Sequence, residues 1–329
     1  MRIAVTGSVA TDYLATFPGR FTDQLLPDQL SHVSLSFLVH DLEVRRGGTA
    51  ANVSFGLGSL GLAPELVGAV GSDFAEYETW LMAHGVGTGH VRVSDRLGTA
   101  RFMCTTDAAE NQIATFYAGA MAESALVDLR QVHEATGGLD LVLVCAGDPT
   151  AMLRHTAQCQ ELGVAFAADP SQQLATLDRE SVRRLVEGAG HLFTNAYEAA
   201  LLTSVTGWTD DQVLDRVGTW ITTRGADGVL VRSARHGRMA VPAVPVERVA
   251  DPTGGGDAFR AGFLAGLAWR MQVPDAARLG CALAALALES VGPQQYTVHP
   301  GDLAARLTKT YGASTGRRLV GRPEIAPIA

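Results

Sequence analysis

The run Asp251-Pro252-Thr253-Gly254-Gly255-Gly256-Asp257-Ala258-Phe259 leads three consecutive glycines into an acidic residue and then an apolar helical pattern. Glycines let a substrate approach the backbone closely, and the N–H groups that open a helix point at whatever sits there. Such a pocket suits a phosphoryl group. A carboxylate beside it would repel phosphate, which makes sense if Asp257 takes a proton from an attacking hydroxyl. Gly254, Gly255, Gly256 and Asp257 are therefore the candidate catalytic residues of a phosphoryl transfer, with Asp257 as general base and Arg260 as a possible helper. Taken alone, the same run also fits a glycine turn whose Asp caps a helix. No Gly-x4-Gly-Lys-Ser/Thr loop competes for phosphate, and Lys309 is the only lysine, so backbone amides and arginines must handle the anion.

These residues need a scaffold, and β-type apolar runs alternate with helical patterns along most of the chain. Ile3–Thr6, Leu139–Cys145, Val164–Ala168 and His191–Thr194 predict buried parallel strands. Asn52–Leu60, Thr150–Leu162, Asp178–Glu187, Tyr197–Leu202 and Asp257–Trp269 predict helices. The fold class is then α/β, with a doubly wound, mostly parallel central sheet flanked by helices. Ligands in such sheets gather beyond the carboxyl ends of the strands, where Gly7–Asp12, Asp169–Gln173, Asn195–Glu198 and Thr223–Gly228 fall. Two regions break the rhythm, Phe17–Arg45 and Leu97–Ala118, with short alternating runs such as Val33–Phe37 and Arg101–Thr105. They predict a small β-sheet lid that closes over substrate, or alternatively edge strands of the main sheet. The division is one domain over 1–315, lid strands from about 13–45 and 97–118, and a loose tail over 316–329.

The chain has 329 residues, 47% hydrophobic and 18% charged, with a net charge of −8, enough for a large core and too acidic for nucleic acid or an anionic membrane as main partner. A small molecule is the better partner. The start reaches Gly7 and Asp12 before an apolar core accumulates, and Cys281–Leu288 is too short to span a bilayer, so a cytoplasmic location is expected. Cys104, Cys145, Cys159 and Cys281 are widely spaced and read as buried reduced thiols, and the nine histidines form no ligand pair.

A second glycine signature, Arg46-Gly47-Gly48-Thr49-Ala50-Ala51-Asn52, enters a helix with Asn52 on its first turn. Together with the late signature, it resembles the ribokinase-like, or pfkB-type, sugar and nucleoside kinases. The resemblance implies that Asp12, Gly47, Gly48 and Asn52 hold sugar hydroxyls, while Gly254–Gly256 form an anion hole around the base Asp257. A carboxylate accepts two vicinal hydroxyl protons, and an amide both donates and accepts, so the residue types suit the task. Asn195-Ala196-Tyr197-Glu198 resembles the family's Asn-x-x-Glu motif, implying that Asn195 and Glu198 serve Mg2+, Glu198 through water. Thr223, Gly225 and Gly228 resemble the turn along the nucleotide, with Thr253 nearby, which implies ATP as cofactor. The family also implies a monovalent cation such as K+ near Asp251 and Thr253, and a homodimer through the lids. Pro252 and Gly255 replace residues often Thr and Ala in the family, and Gly255 is expected to loosen the loop.

Sugar and nucleoside kinases share these signatures, so the acceptor must be read from the lid. A purine buries best between aromatic faces, and the lid offers Phe102, Phe116 and Tyr117. Stretches at Ser34–Leu38, Thr99–Phe102, Ala114–Tyr117 and Asp169–Gln173 look like those of bacterial adenosine kinases. That likeness implies that Phe102 and Phe116 stack on adenine, Gln172 or Gln173 faces its polar edge, and Ser8 and Ser36 assist the ribose pocket. Core packing of the lid would equally explain the phenylalanines. The expected reaction is γ-phosphoryl transfer from ATP to the 5′-hydroxyl of adenosine. A ribokinase-type sugar kinase and a non-catalytic nucleoside-binding protein are the alternatives; a nicotinamide site fails at Gly7-Ser8-Val9-Ala10.

Overall fold

The structure, a computed structural model, describes residues 1–25, 32, 34–235 and 237–320. Its strands are β1 Ile3–Thr6, β2 Ala10–Thr16, β3 Asp41–Gly47, β4 Glu65–Gly71, β5 Gly87–Ser94, β6 Ala100–Thr106, β7 Gln112–Tyr117, β8 Leu141–Cys145, β9 Ala165–Asp169, β10 His191–Asn195, β11 Thr219–Thr223, β12 Val229–Ser233 and β13 Gly237–Val241. A nine-stranded sheet runs β13-β12-β11-β10-β9-β8-β1-β4-β5. It is parallel from β5 to β11, and β12 and β13 add antiparallel.

Both faces of this sheet are covered, and the strand sequences reflect it. In β8, Leu141, Leu143 and Cys145 enter one core while Val142 and Val144 enter the other, which is why the strand is an unbroken apolar run. One face carries the helices Thr49–Ser59, Gly255–Ala268 and Val273–Leu288; the other carries Pro149–Leu162, Arg179–Val186 and Ala196–Thr206. Strand order runs outward in both directions from β1, so the ligand crevice lies beyond the carboxyl ends of β1 and β8. Helix Gly255–Ala268 is fixed by backbone-close packing: a Cβ at Gly262 would lie 2.8 Å from Gly280 Cα. Phe263 of the same helix meets Phe193 of β10 edge-on at 5.3 Å between ring centroids.

The lid is a separate four-stranded sheet in the order β3-β2-β6-β7. Its second half lies where expected, within Leu97–Ala118. The first half agrees in part: β3 lies at the end of the expected region and β2 overlaps its start, but residues 34–39 form no strand and Val33 lies outside the described residues. Phe37 is apolar because it packs on Phe17 and Phe21, each at 4.9 Å between centroids, and not because it alternates in a sheet. β2 escapes hydrophobic patterning because one of its faces turns Asp12 to a cavity. The loose tail is also corrected in part, since Ala313–Val320 is a helix. Arg318 holds it with two bonds to the Asp275 carboxylate, at 2.8 and 2.9 Å; residues 321–329 lie outside the described residues. No helix among the described residues is long and apolar enough to cross a membrane.

Candidate active site

Asp257 stands on the first turn of the Gly255–Ala268 helix. Gly254, just before it, has φ 79, and a Cβ there would lie 2.4 Å from Pro293 Cβ, so the turn admits only glycine. Gly255 is not the loosened loop expected of it. It is the first helical residue, and an added Cβ would crowd Leu288 at 3.0 Å. The Thr253 amide donates to Asp251 Oδ1 at 2.8 Å, so it is not available to an anion. Amides on the first helical turn, at Gly256 and Asp257, have no acceptor within the helix and remain for an anion.

The Asp257 carboxylate is half-buried and accepts a hydrogen bond from Asn52 Nδ2 at 2.8 Å. Burial pushes its pKa up to about 6, outweighing the pull of Arg260 and Asn52 in the other direction. Asn52 is itself oriented. Gln294 Nε2 donates to Asn52 Oδ1 at 2.9 Å and to Tyr77 Oη at 2.5 Å, while the Tyr77 hydroxyl donates to Gly47 O at 2.9 Å. With its oxygen claimed by Gln294, the Asn52 amide must turn its NH2 toward Asp257.

Beyond β1 and β8 opens a cavity of about 510 Å³ lined by Ser8, Asp12, Gly48, Asn52, Phe102, Phe116, Gln172 and Gln173, with Met121, Ala146 and Gly147. Its upper wall is one register row of the lid: Asp12 pairs with Phe102, Phe102 with Phe116, and on the other side Asp12 with Arg45. Burial raises the Asp12 pKa to about 6, Arg45 opposing and Asp251 adding to the rise. Gly47 leaves room for that carboxylate, since a Cβ would lie 2.4 Å from Asp12 Oδ2. Gly48, at φ 94, turns the chain into the Thr49–Ser59 helix, whose first amide, Thr49 N, donates to Ser8 Oγ at 3.0 Å.

A second cavity of about 190 Å³ lies on the other side of the glycine run, between Thr223, Gly225 and Gly228 and a mostly apolar wall of Val244, Phe259, Ala284, Ala285 and Leu288. Gly255 and Gly256 line it as well. Asp257 is thus linked to both pockets: Asn52, which lines the first, bonds its carboxylate, and Gly255 and Gly256, just before it, line the second. Residues 6–299 match the pfkB family of carbohydrate kinases. The chain belongs to that family.

Among known pfkB relatives, the nucleoside kinase of Methanothermobacter thermautotrophicus is 30% identical over 298 residues, covering 87% of this chain and 92% of that protein. The nucleoside kinase of Burkholderia thailandensis, solved with inosine, is 36% identical, covers 94% of this chain and 98% of its own, and superposes with a TM-score of 0.83. Its complex with ADP-inosine is 37% identical, covers 94% and 96%, and gives 0.79.

Not every expected residue of the pfkB site falls into these pockets. Ser36 is exposed, in the stretch without strand structure, and does not line the cavity. Asn195 and Glu198 line neither cavity and cap each other's helix start, with Glu198 N to Asn195 Oδ1 at 2.8 Å and Asn195 N to Glu198 Oε2 at 2.7 Å. Burial raises the Glu198 pKa, with Asp169 adding to it and the Asn195 amide and Arg260 opposing. Gln173 is spent on the loop, its amide donating to Gly147 O at 2.8 Å and its oxygen accepting from Thr176 Oγ1 at 2.7 Å. Gln172 is exposed at the cavity wall, so of the two it is the one placed to read a ligand edge.

Other residues around Asp257 owe their place to the fold. Gln294 and Tyr77 look like ordinary loop and helix residues, and only the fold joins them to Asn52. Arg260, named as a helper, is locked to Asp169: Nη2 to Oδ1 at 2.6 Å and Nε to Oδ2 at 2.5 Å, both side chains buried. The carboxylates of Asp169 and Asp257 hold the guanidinium charged despite its burial. A Cβ on Gly256 would lie 2.8 Å from Arg260 Nη1, so the cation borders the glycine run.

Proposed function

We propose that the chain transfers the γ-phosphoryl group of ATP to the 5′-hydroxyl of a purine nucleoside, adenosine first. The observation that carries this reading is the shared acid: Asp257, tied by Asn52 to an aromatic-walled cavity, directly follows Gly255 and Gly256, which line the second pocket. In this reading Asp12 accepts the ribose hydroxyls and Asn52 shares them. Phe102 and Phe116 stack on the base. Gln172 reads the polar edge and, by rotating its amide, suits either an adenine or a hypoxanthine; the inosine complex of the Burkholderia relative favours inosine as a second acceptor.

Asp257, held half-ionised near pH 6 and mostly charged at neutrality, takes the hydroxyl proton, a contribution of roughly 10²–10⁴ in rate. The Gly256 and Asp257 amides and the Arg260 guanidinium face the transferring charge, one such preorganised donor contributing about 3 kcal/mol. Thr223, Gly225 and Gly228 flank the adenine nucleotide; the ADP-inosine complex of the same relative supports an adenine nucleotide as donor. Mg2+ neutralises phosphate charge as part of the ATP substrate. Asn195 and Glu198 would hold that ion through water. The outer lid face exposes Leu42, Val44, Met103, Ile113 and Tyr117, an apolar surface that supports a homodimer through the lids, testable by sedimentation.

The test is ADP release with adenosine, inosine, ribose and fructose as acceptors, paired with calorimetry for each. Turnover of a nucleoside and indifference to the free sugars supports the reading. Preference for ribose or fructose makes the chain a sugar kinase, and tight adenosine binding without turnover makes it a binding protein.

A further inference from the structure

The family resemblance places a monovalent cation beside Asp251 and Thr253, but the residues found there do not fit one. Asp251 Oδ1 accepts from Thr253 N at 2.8 Å, and Oδ2 accepts from Gly292 N at 3.0 Å and from Arg45 Nη1 at 2.6 Å. Three donors, one of them a full positive charge, already claim a carboxylate with about four lone-pair sites. The pair is largely out of water, with side-chain exposures of 19% for Arg45 and 11% for Asp251, so solvent screens it little. The other nitrogen of the same guanidinium binds Glu43 on the lid. Its stem lies against the Gly292 turn, where a Cβ would come within 3.4 Å of Arg45 Cδ.

We propose that Arg45 is a built-in cation that replaces the alkali ion at the opening of the anion hole, so that catalysis does not depend on K+. A second cation next to the guanidinium would meet repulsion and an occupied ligand set. The position has a mechanical consequence. Asp251 fixes the Thr253 amide and the Gly292 turn, and that turn leads into Pro293, which packs on Gly254, and Gln294, which orients Asn52. An arginine on lid strand β3 therefore organises both the phosphate-binding turn and the residue that aligns the base. A mobile ion would organise only the turn.

The inference rests on phosphoryl transfer at this site and not on which nucleoside is the acceptor, so its test includes a readout without substrate. The wild type, Arg45→Met and Arg45→Lys are compared across K+ concentrations at constant ionic strength, balanced with tetramethylammonium. Melting temperature is recorded on the free proteins and initial rate on the best acceptor. Expected are a wild type indifferent to K+ in both readouts, and an Arg45→Met protein slowed by about tenfold or more that K+ or free guanidinium stabilises and reactivates. Arg45→Lys, which keeps a charge but loses the fork, should fall between them without K+. If Arg45→Met does not fold, an Arg45→Lys protein that K+ stabilises and accelerates serves the same purpose. Overturning results are K+ stabilisation or activation of the wild type, or variants that neither ion affects in melting or rate.

Discussion

Asn52 donates its side-chain amide to the Asp257 carboxylate at 2.8 Å, joining two glycine signatures that stand 205 residues apart. Asn52 also lines the aromatic-walled cavity, so in the proposed reading the bond couples substrate recognition to proton removal. Its direction is set by Gln294, which takes the opposite end of the amide.

Replacing Asp257 by Asn should cut turnover by roughly 10² or more while leaving nucleoside affinity within about threefold. The same change should stabilise the protein at neutral pH. The folded pKa of about 6 exceeds the unfolded value of 3.8, so folding binds a proton more tightly, and the stability this confers is full below pH 3.8 and lost as pH rises through 6. Removing the charge should therefore raise stability by about 1–2 kcal/mol above pH 6, and this gain should vanish near pH 3.8. Thermal melts of both proteins across that range, with steady-state kinetics and calorimetry, check the set.

Burial lifts both Asp12 and Asp257 to about 6; in the proposed mechanism Asp257 must be charged to take the hydroxyl proton and Asp12 to accept the ribose hydrogen bonds. The acid limb of kcat/KM should fall below pH 6 more steeply than one proton allows. Asp12→Asn should leave a one-proton limb. A pH profile in overlapping buffers decides it.

Gln294→Leu would strand the Asn52 oxygen and the Tyr77 hydroxyl, at a cost of about 1–3 kcal/mol in stability. Turnover should drop by about tenfold as the Asn52 amide loses its fixed direction. Gln294→Glu, which cannot donate once ionised, should flip Asn52 and move the acid limb to higher pH. Denaturant melts and pH profiles of the two variants separate packing from orientation.

Phe102→Ala and Phe116→Ala should each raise KM for adenosine by roughly tenfold or more, from about 1–3 kcal/mol of lost base stacking, with kcat little changed. Weak turnover of ribose, if measurable, should stay the same. Equal losses for ribose would mean the rings only hold the lid together.

Much of this was legible in the residues, for a physical reason. The parallel core strands are apolar on both faces, so β1, β8, β9 and β10 stand out as runs. Gly254 and Gly48 were visible because backbone turned to positive φ beside close neighbours leaves few alternatives. What stayed hidden depends on tertiary juxtaposition. β2 alternates poorly because Asp12 faces a cavity, and Ser34–Phe37 alternates well because Phe37 joins a ring cluster. Gln294, Tyr77 and Arg45 act through partners distant in the chain, and spacing holds no trace of them. Asn195 and Glu198 formed a recognisable pair, but a capping box and an ion site draw on the same residue types.

In the proposed reading, acceptor choice and phosphate chemistry rest on different sheets. Phe116, Phe102 and Asp12 stand in single file across the small sheet, while the glycine run and its acid are anchored by helices packed on the large one. Mutations along the file can retune which alcohol is welcomed without rebuilding the machinery that delivers phosphorus to it. A slip of one residue in any lid strand, by contrast, would turn that strand's contribution to the opposite face, so strand register itself acts as a determinant of selectivity.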